Sequence, residues 1–379
     1  MADQDLTTLR ELPHKSGDQE WIKTLGRVSR YLAVRTITVL LTVLIGIYAA
    51  IWVSNIGGYG DKYRIEDINY QVLFGLGKMG YSEWKTPPDE WEQIYEATMA
   101  NALAWADLDQ PFFLRSFRYF RDALTLSLGE TSMRSRSGSR KVRDLLLEKV
   151  PLSLLIFGLA NLLTFFGGLF IALSLSRRYG SLLDRLVTLA APLFSAPPWL
   201  HGLFLIVIFA AGLKIFPFGG HLSPPLPETT LEYALDLLHH MVLPVLALTL
   251  ATLPYAAYAN RALFLIHSSD DYVELGKAKG LGAHRLQRRY ILRPVLPPII
   301  TGFILTALVS WQGLILTEYV FSWPGLGKIL IEAIFSYTTP VVVGAFTLFA
   351  YLLGLSVLVL EFLYVLLDPR VKLGRGGSK

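Results

Sequence analysis

Few residues of this chain are spaced for catalysis, and the near misses show why. A phosphate-binding loop needs a glycine, four residues, then Gly-Lys-Ser/Thr, so that backbone amides can cradle phosphate oxygens. Gly77-Lys78 and Gly327-Lys328 come nearest, but Val72 and Ser322 occupy the first glycine position, and Met79 and Ile329 the hydroxyl position. ATP binding by that route is excluded. Neither an HExxH helix nor a GxSxG nucleophile turn occurs. Gly58-Tyr59-Gly60-Asp61 has the Gly-x-Gly-Asp form of intramembrane aspartyl proteases, yet it stands in a polar stretch with no second Asp in an apolar run. The seven histidines lack ligand spacing; His239-His240, at the outer end of the fourth apolar run, offers itself to a metal cargo but reads better as an interfacial pair. Zero cysteines exclude disulfides, thiolate metal sites and a cysteine nucleophile. The expectation is a chain with no catalytic set and no metal set.

The elements that hold these residues are mostly apolar. The 379 residues are 53% hydrophobic and 17% charged, with a mean hydropathy of +0.43, more apolar than a soluble protein of this length. Six runs are long enough to cross a hydrocarbon core, which needs about 20 helical residues. They lie near 31–53, 152–175, 186–213, 240–265, 295–320 and 340–367. The fold class expected is an all-α integral membrane protein with six transmembrane helices. The first run follows thirty polar, basic residues and no small-residue cleavage site follows it, so it reads as a retained anchor.

Charge placement sets the orientation. Short loops rich in Lys and Arg mark the cytoplasmic side. Arg10, Lys15, Lys23, Arg27 and Arg30 precede the first run; Arg177, Arg178 and Arg185 join the second and third; Lys277, Lys279, Arg285, Arg288, Arg289 and Arg293 join the fourth and fifth. Arg370, Lys372, Arg375 and Lys379 close the chain, whereas the third-to-fourth connection has Lys214 against Glu228, Glu232 and Asp236. The chain therefore divides into a cytoplasmic extension (1–30), a first span (31–53), a large external loop subdomain (54–151), a five-helix core (152–367) and a cytoplasmic tail (368–379). Both termini are expected inside. The basic cluster Arg134, Arg136, Arg140, Lys141 and Arg143 runs against this topology, but the rule weakens in loops beyond about 60 residues. Within the loop the Ser/Arg stretch at 132–140 reads as mobile, and Val142-Arg143-Asp144-Leu145-Leu146-Leu147 as a short amphipathic helix on the bilayer surface.

The segment 271–298, DYVELGKAKGLGAHRLQRRYILRPVLPP, is more structured than a connection between spans requires. It has a helical first half, a Gly280-Leu281-Gly282 break, and a basic second half ending in Pro294 and Pro297. It resembles the cytoplasmic coupling loop (the EAA loop) of binding-protein-dependent ABC importer permeases. Glu274 and Gly280 hold the places of that loop's Glu and Gly, with Leu275 and Gly276 where two alanines usually stand. Arg30-Tyr31, Leu108-Asp109-Gln110-Pro111, Leu128-Gly129-Glu130, Glu318-Tyr319-Val320-Phe321-Ser322-Trp323-Pro324-Gly325-Leu326-Gly327 and Leu367-Asp368-Pro369-Arg370-Val371 are similar to further motifs of the peptide (dipeptide, oligopeptide and nickel) subfamily. The likeness covers about 30–371. Departures are the N-terminal extension, the Leu-Gly pair, and 60–105, which reads as an insertion.

The resemblance implies roles. In the loop 266–294, Asp271, Tyr272, Glu274, Gly276, Ala278, Lys279, Gly280 and Leu281 would couple to an ATPase. Gly276 and Ala278 would permit close approach, Glu274 and Lys279 would pair with ATPase side chains, and Gly280 would make the turn. Glu318, Phe321, Trp323, Pro324 and Gly325 would contact the binding protein or form an external gate, followed by a re-entrant helix over about 325–336. For Glu318, exposure to external water and a role in the substrate path fit the sequence equally well. Glu361 would make a structural bond to a neighbouring helix, with Arg35 a candidate partner. Ser195, Pro198, Trp311 and Gln312 are the candidates for the translocation path, and Pro197-Pro198 must break backbone bonding there. The implied partners are a second homologous permease, two ATPase subunits, an extracytoplasmic solute-binding protein and membrane lipid, with no nucleic acid. No cofactor is expected in this chain, ATP and Mg being bound by the ATPases. The membrane is a bacterial or archaeal plasma (inner) membrane. Peptides are the expected cargo, with nickel chelates or oligosaccharides as alternatives. An ion-coupled transporter or channel is the competing class, but charged residues near the midplane and inverted repeats are not evident.

Overall fold

A computed structural model describes residues 17–131, 133–176 and 178–367, apart from a few side chains within that range. The described chain is helical, with one isolated bridge between Glu130 and Lys141. Among the described residues, five helices are long and apolar enough to cross a membrane, and a bent pair supplies a sixth crossing. The first is α1 (Gly17–Asn55), so the second half of the expected N-terminal extension is helix continuous with the span. The closing motif from Asp368 onward lies outside the described residues.

The second crossing is α6 (Val150–Ser176) and the fourth is α9 (Thr230–Ser268). Together they form the central pair of the bundle, meeting through Ile156, Ala160, Met241, Val245 and Leu248. α9 starts where a capping box dictates: the Thr229 hydroxyl accepts from Glu232 N, and the Glu232 carboxylate accepts from Thr229 N. The third crossing is broken. α7 (Leu182–Leu193) and α8 (Pro198–Leu205, continuing as a wider π-type turn over Ile206–Gly212) meet at 108°. Proline lacks an N–H, so Pro197 and Pro198 end one helix and start the next, as the sequence requires.

The fifth crossing, α12 (Arg293–Val320), follows α10 (Asp271–Ala278), a single turn α11 (Ala283–Arg285) and a π-type segment (Leu286–Leu292). A short helix, α13 (Leu326–Phe335), folds back before the last crossing, α14 (Thr339–Leu367), which packs along α1. At that contact Glu361 sits 2.8 Å from Arg35 Nε and accepts a 2.8 Å hydrogen bond from the Tyr31 hydroxyl. The partner expected for Glu361 is the one found.

Residues 54–151 cap one end of the bundle, called the upper end here. α2 (Tyr59–Lys78) and α3 (Pro88–Trp105) form a helical hairpin over the stretch that reads as an insertion. α4 (Phe112–Leu124) anchors it: the Arg115 guanidinium reaches Asp61 at 2.6 Å, Tyr119 Oη at 3.2 Å and Gln110 O at 2.9 Å. Asp61 beside it holds the Arg115 pKa above its ordinary value, so this buried cation stays charged. α5 (Val142–Leu147) is a short helix, as expected, but its apolar face turns into the protein rather than onto the bilayer, with Val142, Leu145 and Leu146 buried against α13 and α14.

The 132–140 stretch departs from expectation. Instead of a mobile polar loop, its flanks pair as a small hairpin, with Thr131 N donating to Arg140 O at 2.9 Å and Ser135 N to Ser139 O at 2.9 Å. Thr131 and Ser135 are buried, and the Glu148 carboxylate accepts from Arg136 N at 2.9 Å. Serine and arginine signal polarity, but backbone pairing decides order here.

Candidate functional site: a lever, a groove and a buried clamp

α10 sits at the lower end, opposite residues 54–151. α10 carries two faces. Val273 and Gly276 are buried, while Asp271, Tyr272, Glu274, Leu275, Lys277, Ala278 and Lys279 are exposed. Glu274 and Lys277 pair loosely at 3.6 Å, so the rim charges are free to re-pair. Gly276 corrects the expectation. It lies on the buried face of the helix, where a Cβ would make ordinary contact with Leu286 at 3.4 Å and Leu281 at 3.5 Å, so it faces its own chain rather than outward. Leu281 is accordingly half-buried beneath the helix. Gly280 makes the turn, as expected, through its backbone: its φ is +72°, while the space beside it is open.

α10 is joined to the bundle through the π-type segment. Leu286 is buried under Gly276, Gln287 donates to Leu173 O of α6 at 3.3 Å, and the segment runs unbroken into α12. Nearby, a buried ion pair sets the angle between α7 and α9. The Asp184 carboxylate accepts from Arg261 Nε and, at 2.6 Å, from Arg261 Nη2, and also from Gly180 N at 3.0 Å. Ser181 caps α7 by accepting from Asp184 N. The sequence does not reveal this pair, because Asp184 stands at a loop edge, Arg261 lies inside the fourth apolar run, and nothing local links the two. Only the fold brings residues 77 positions apart together.

The groove opens at the break in the third crossing. Ser195, Pro197, Pro198, Trp199, Thr252, Tyr255, Thr306, Ser310 and Gly313 are among the walls of a cavity of about 630 Å³. Ser195 and Pro198 therefore fall where a path was expected. Thr252, Tyr255, Thr306 and Ser310 were missed, being scattered singly along apolar helices. α8 and α12 touch closely here, since a Cβ on Gly313 would lie 2.8 Å from Pro198 Cγ. Trp311 points elsewhere. It is buried, stacked on Phe157 at 4.0 Å between centroids, and its Nε1–H has no partner among the described residues. The Gln312 side chain lies outside the described residues.

At the upper end the expected gate turns out to be a buried clamp. Trp323 is fully enclosed and donates from Nε1 to Leu152 O at 3.0 Å; Phe321 is 1% exposed, packed on Gly202, with its carbonyl accepting from Gly220 N at 2.8 Å. Glu318 is not bathed in water. Its side chain is fully buried and Oε2 accepts from Gly327 N at 2.6 Å. Cβ atoms on Gly325 or Gly327 would lie 2.3 Å and 2.9 Å from that carboxyl group, so both glycines are required by its approach. Pro324 forbids continuation of α12, and α13 then begins with its Leu326 N–H capped by Ser153 Oγ at 2.8 Å. Tyr319 is the aromatic of this turn that remains exposed.

A six-crossing helical bundle with a polar groove at a broken helix and a two-faced surface helix is the fold of a multi-pass membrane protein. Residues 165–373 match the family described as the binding-protein-dependent transport system inner membrane component. The chain is 33% identical over 290 residues to the di/tripeptide transport system permease protein of Pseudomonas aeruginosa (strain UCBPP-PA14), covering 72% of this chain and 84% of that one. It is 29% identical over 295 residues to the dipeptide transport system permease protein of Bacillus subtilis (strain 168), covering 77% and 90%. Against the oligopeptide transport system permease protein of the same organism the identity is 27% over 310 residues, covering 79% and 95%. The chain belongs to the binding-protein-dependent transport system inner membrane component family, a family of transport components rather than of enzymes.

Proposed function

We propose that this chain forms half of the translocation path of an ATP-driven importer of di- and oligopeptides. The observation that carries this reading is the two-faced helix α10. One face is seated on the segment that becomes α12, and the other presents Tyr272, Glu274, Leu275 and Lys277 outward. α12 supplies Thr306, Ser310 and Gly313 to the groove. A push on α10 is thus delivered to the groove wall through a continuous helix. Interiors packed to this density move as discrete bodies rather than deform smoothly.

In this reading the lower end is cytoplasmic and both termini lie there, in the inner membrane. Two ATPase subunits, which bind ATP and Mg and perform the hydrolysis, each receive a lever from one of two permease chains. Closing the ATPase pair draws the levers together and opens the groove at the upper end, where a solute-binding protein delivers cargo. The groove side chains are uncharged, so the wall selects little by charge and the binding protein chooses the cargo. The named roles of the relatives favour peptides over nickel chelates or oligosaccharides.

Proteoliposomes containing the chain, its partner permease and the two ATPases test this. Addition of binding protein and ATP should drive accumulation of labelled dipeptide, and a non-hydrolysable analogue should not. Uptake of a nickel chelate or an oligosaccharide without peptide uptake would overturn the cargo. Uptake without any ATPase would overturn the machine.

A further inference from the structure

The upper end of α9 presents three ligating side chains on adjoining positions. Asp236, His239 and His240 each offer one ligand atom within 4.8 Å of the other two. They stand at i, i+3 and i+4, the spacing that places helix residues on one face. The sequence reading considered His239 and His240 alone, and so missed the carboxylate one turn earlier.

Both imidazoles are already oriented through a single ring nitrogen. His239 Nε2 faces Ile215 O at 3.0 Å, and His240 Nδ1 faces Asp236 O at 2.9 Å. A carbonyl oxygen only accepts, so those nitrogens carry the protons. His239 Nδ1 and His240 Nε2 are left with free lone pairs, while His240 Nδ1 also lies 3.4 Å from Asp236 Oδ1. Metal-binding histidines are held in this way, with the second nitrogen donating to a carbonyl or carboxylate. The Asp236 carboxylate is itself steadied, accepting from Ser223 N at 2.6 Å and Ser223 Oγ at 2.9 Å. Among the described residues no Lys or Arg forms an ion pair with it.

We propose that Asp236, His239 and His240 form a binding site for a divalent transition-metal ion of the zinc class. Two imidazoles and one carboxylate suit Zn²⁺, Co²⁺ or Ni²⁺ rather than the all-oxygen shells of Mg²⁺ and Ca²⁺. Three protein ligands leave a further position for water. His239 is exposed, which gives an ion a route in. Ile215 and Ser223, which steady the ligands, belong to the connection between the third and fourth crossings. Loading the site would therefore pin that connection to the top of α9. Ion binding here stands or falls independently of the cargo.

The test uses the full chain in detergent, with any purification tag removed and metal stripped by chelation, then dialysed against Co²⁺ alone. Retained metal is measured together with the visible absorption of protein-bound Co²⁺. Wild type should keep about one ion per chain. Asp236→Asn and His239→Ala should lose it, while Ser223→Ala should weaken it by roughly tenfold or more. His284→Ala, an exposed histidine in the lower loop, is the control and should bind as wild type. Elution as a single folded species is required of every variant. Absence of retained Co²⁺ in folded wild type, or equal retention in wild type and the Asp236 and His239 variants, overturns the site.

Discussion

The Asp184–Arg261 pair yields the sharpest stability prediction. Asp184 is 4% exposed at its side chain and Arg261 12%, so neither is screened by solvent as a surface pair would be. Removing one partner strands the other, which in buried pairs costs about 3–5 kcal/mol. The two halves of the pair should not cost the same. Arg261 lies seven residues before the end of α9 at Ser268, about 10 Å of helix, so its long side chain can swing toward the lower interface when Asp184 is gone. The Tyr179 ring, 5.2 Å from the guanidinium, remains as a partner. Asp184 has no such reach. Asp184→Leu should therefore cost near 3 kcal/mol and Arg261→Met near 5. The double variant replaces the pair by apolar side chains and should recover most of that loss, to within about 1 kcal/mol of wild type. Equilibrium unfolding of the four proteins in mixed micelles gives the cycle directly, the coupling being the excess of the summed singles over the double. A double variant as unstable as the sum of the two singles would show that the pair does not act as a unit, and would refute the reasoning.

Four further outcomes follow from the geometry. Gly327→Ala places a Cβ 2.5 Å from Ile315 Cα and should destabilise by about 1–3 kcal/mol, whereas Gly302→Ala, in the lower half of α12, meets nothing within 4 Å and should be neutral or stabilising by up to about 1 kcal/mol; thermal melts in detergent compare them. Gly280→Val forces a β-branched residue to a φ of +72°; retention of ATPase subunits on the purified chain should drop while the six-crossing fold survives. Tyr255→Ala, at an exposed groove position, should lower the peptide uptake rate in proteoliposomes without lowering yield, and unchanged uptake would remove Tyr255 from the path. Because the chain has no cysteine, single replacements report sidedness: an impermeant thiol reagent applied to intact spheroplasts should label Ser137→Cys, and Ala278→Cys only after lysis. The reverse pattern would invert the topology.

Much of this architecture was legible in the residues. Apolar runs of spanning length have few alternatives, and Pro197-Pro198 announced the break in the third crossing. Gly280-Leu281-Gly282 announced the turn after the lever. Other features were not legible, each for a physical reason. A small residue in a short helix carries no mark of the side it serves, so Gly276 read as a docking position when it faces Leu286 of its own chain. The turn from Glu318 to Gly327 read as an external gate because its aromatics suit an interface equally well. The fold instead encloses Phe321 and Trp323, and closes Gly325 and Gly327 onto the Glu318 carboxyl. Trp311 and Ser195 read alike as path residues; only the groove separates them, with Ser195 on its wall and Trp311 stacked on Phe157. Long-range pairs such as Asp184–Arg261 leave no trace in a single sequence at all.

The central claim is that α10 is the lever through which an ATPase works this chain. It is tested by co-purification of the tagged chain with its partner subunits, comparing wild type with Glu274→Arg plus Leu275→Glu. Both positions are exposed, so the variant should fold and elute from detergent as wild type does. The account predicts ATPase subunits co-eluting with wild type and lost from the variant. Equal retention by both, or a chain that never retains an ATPase, would contradict it.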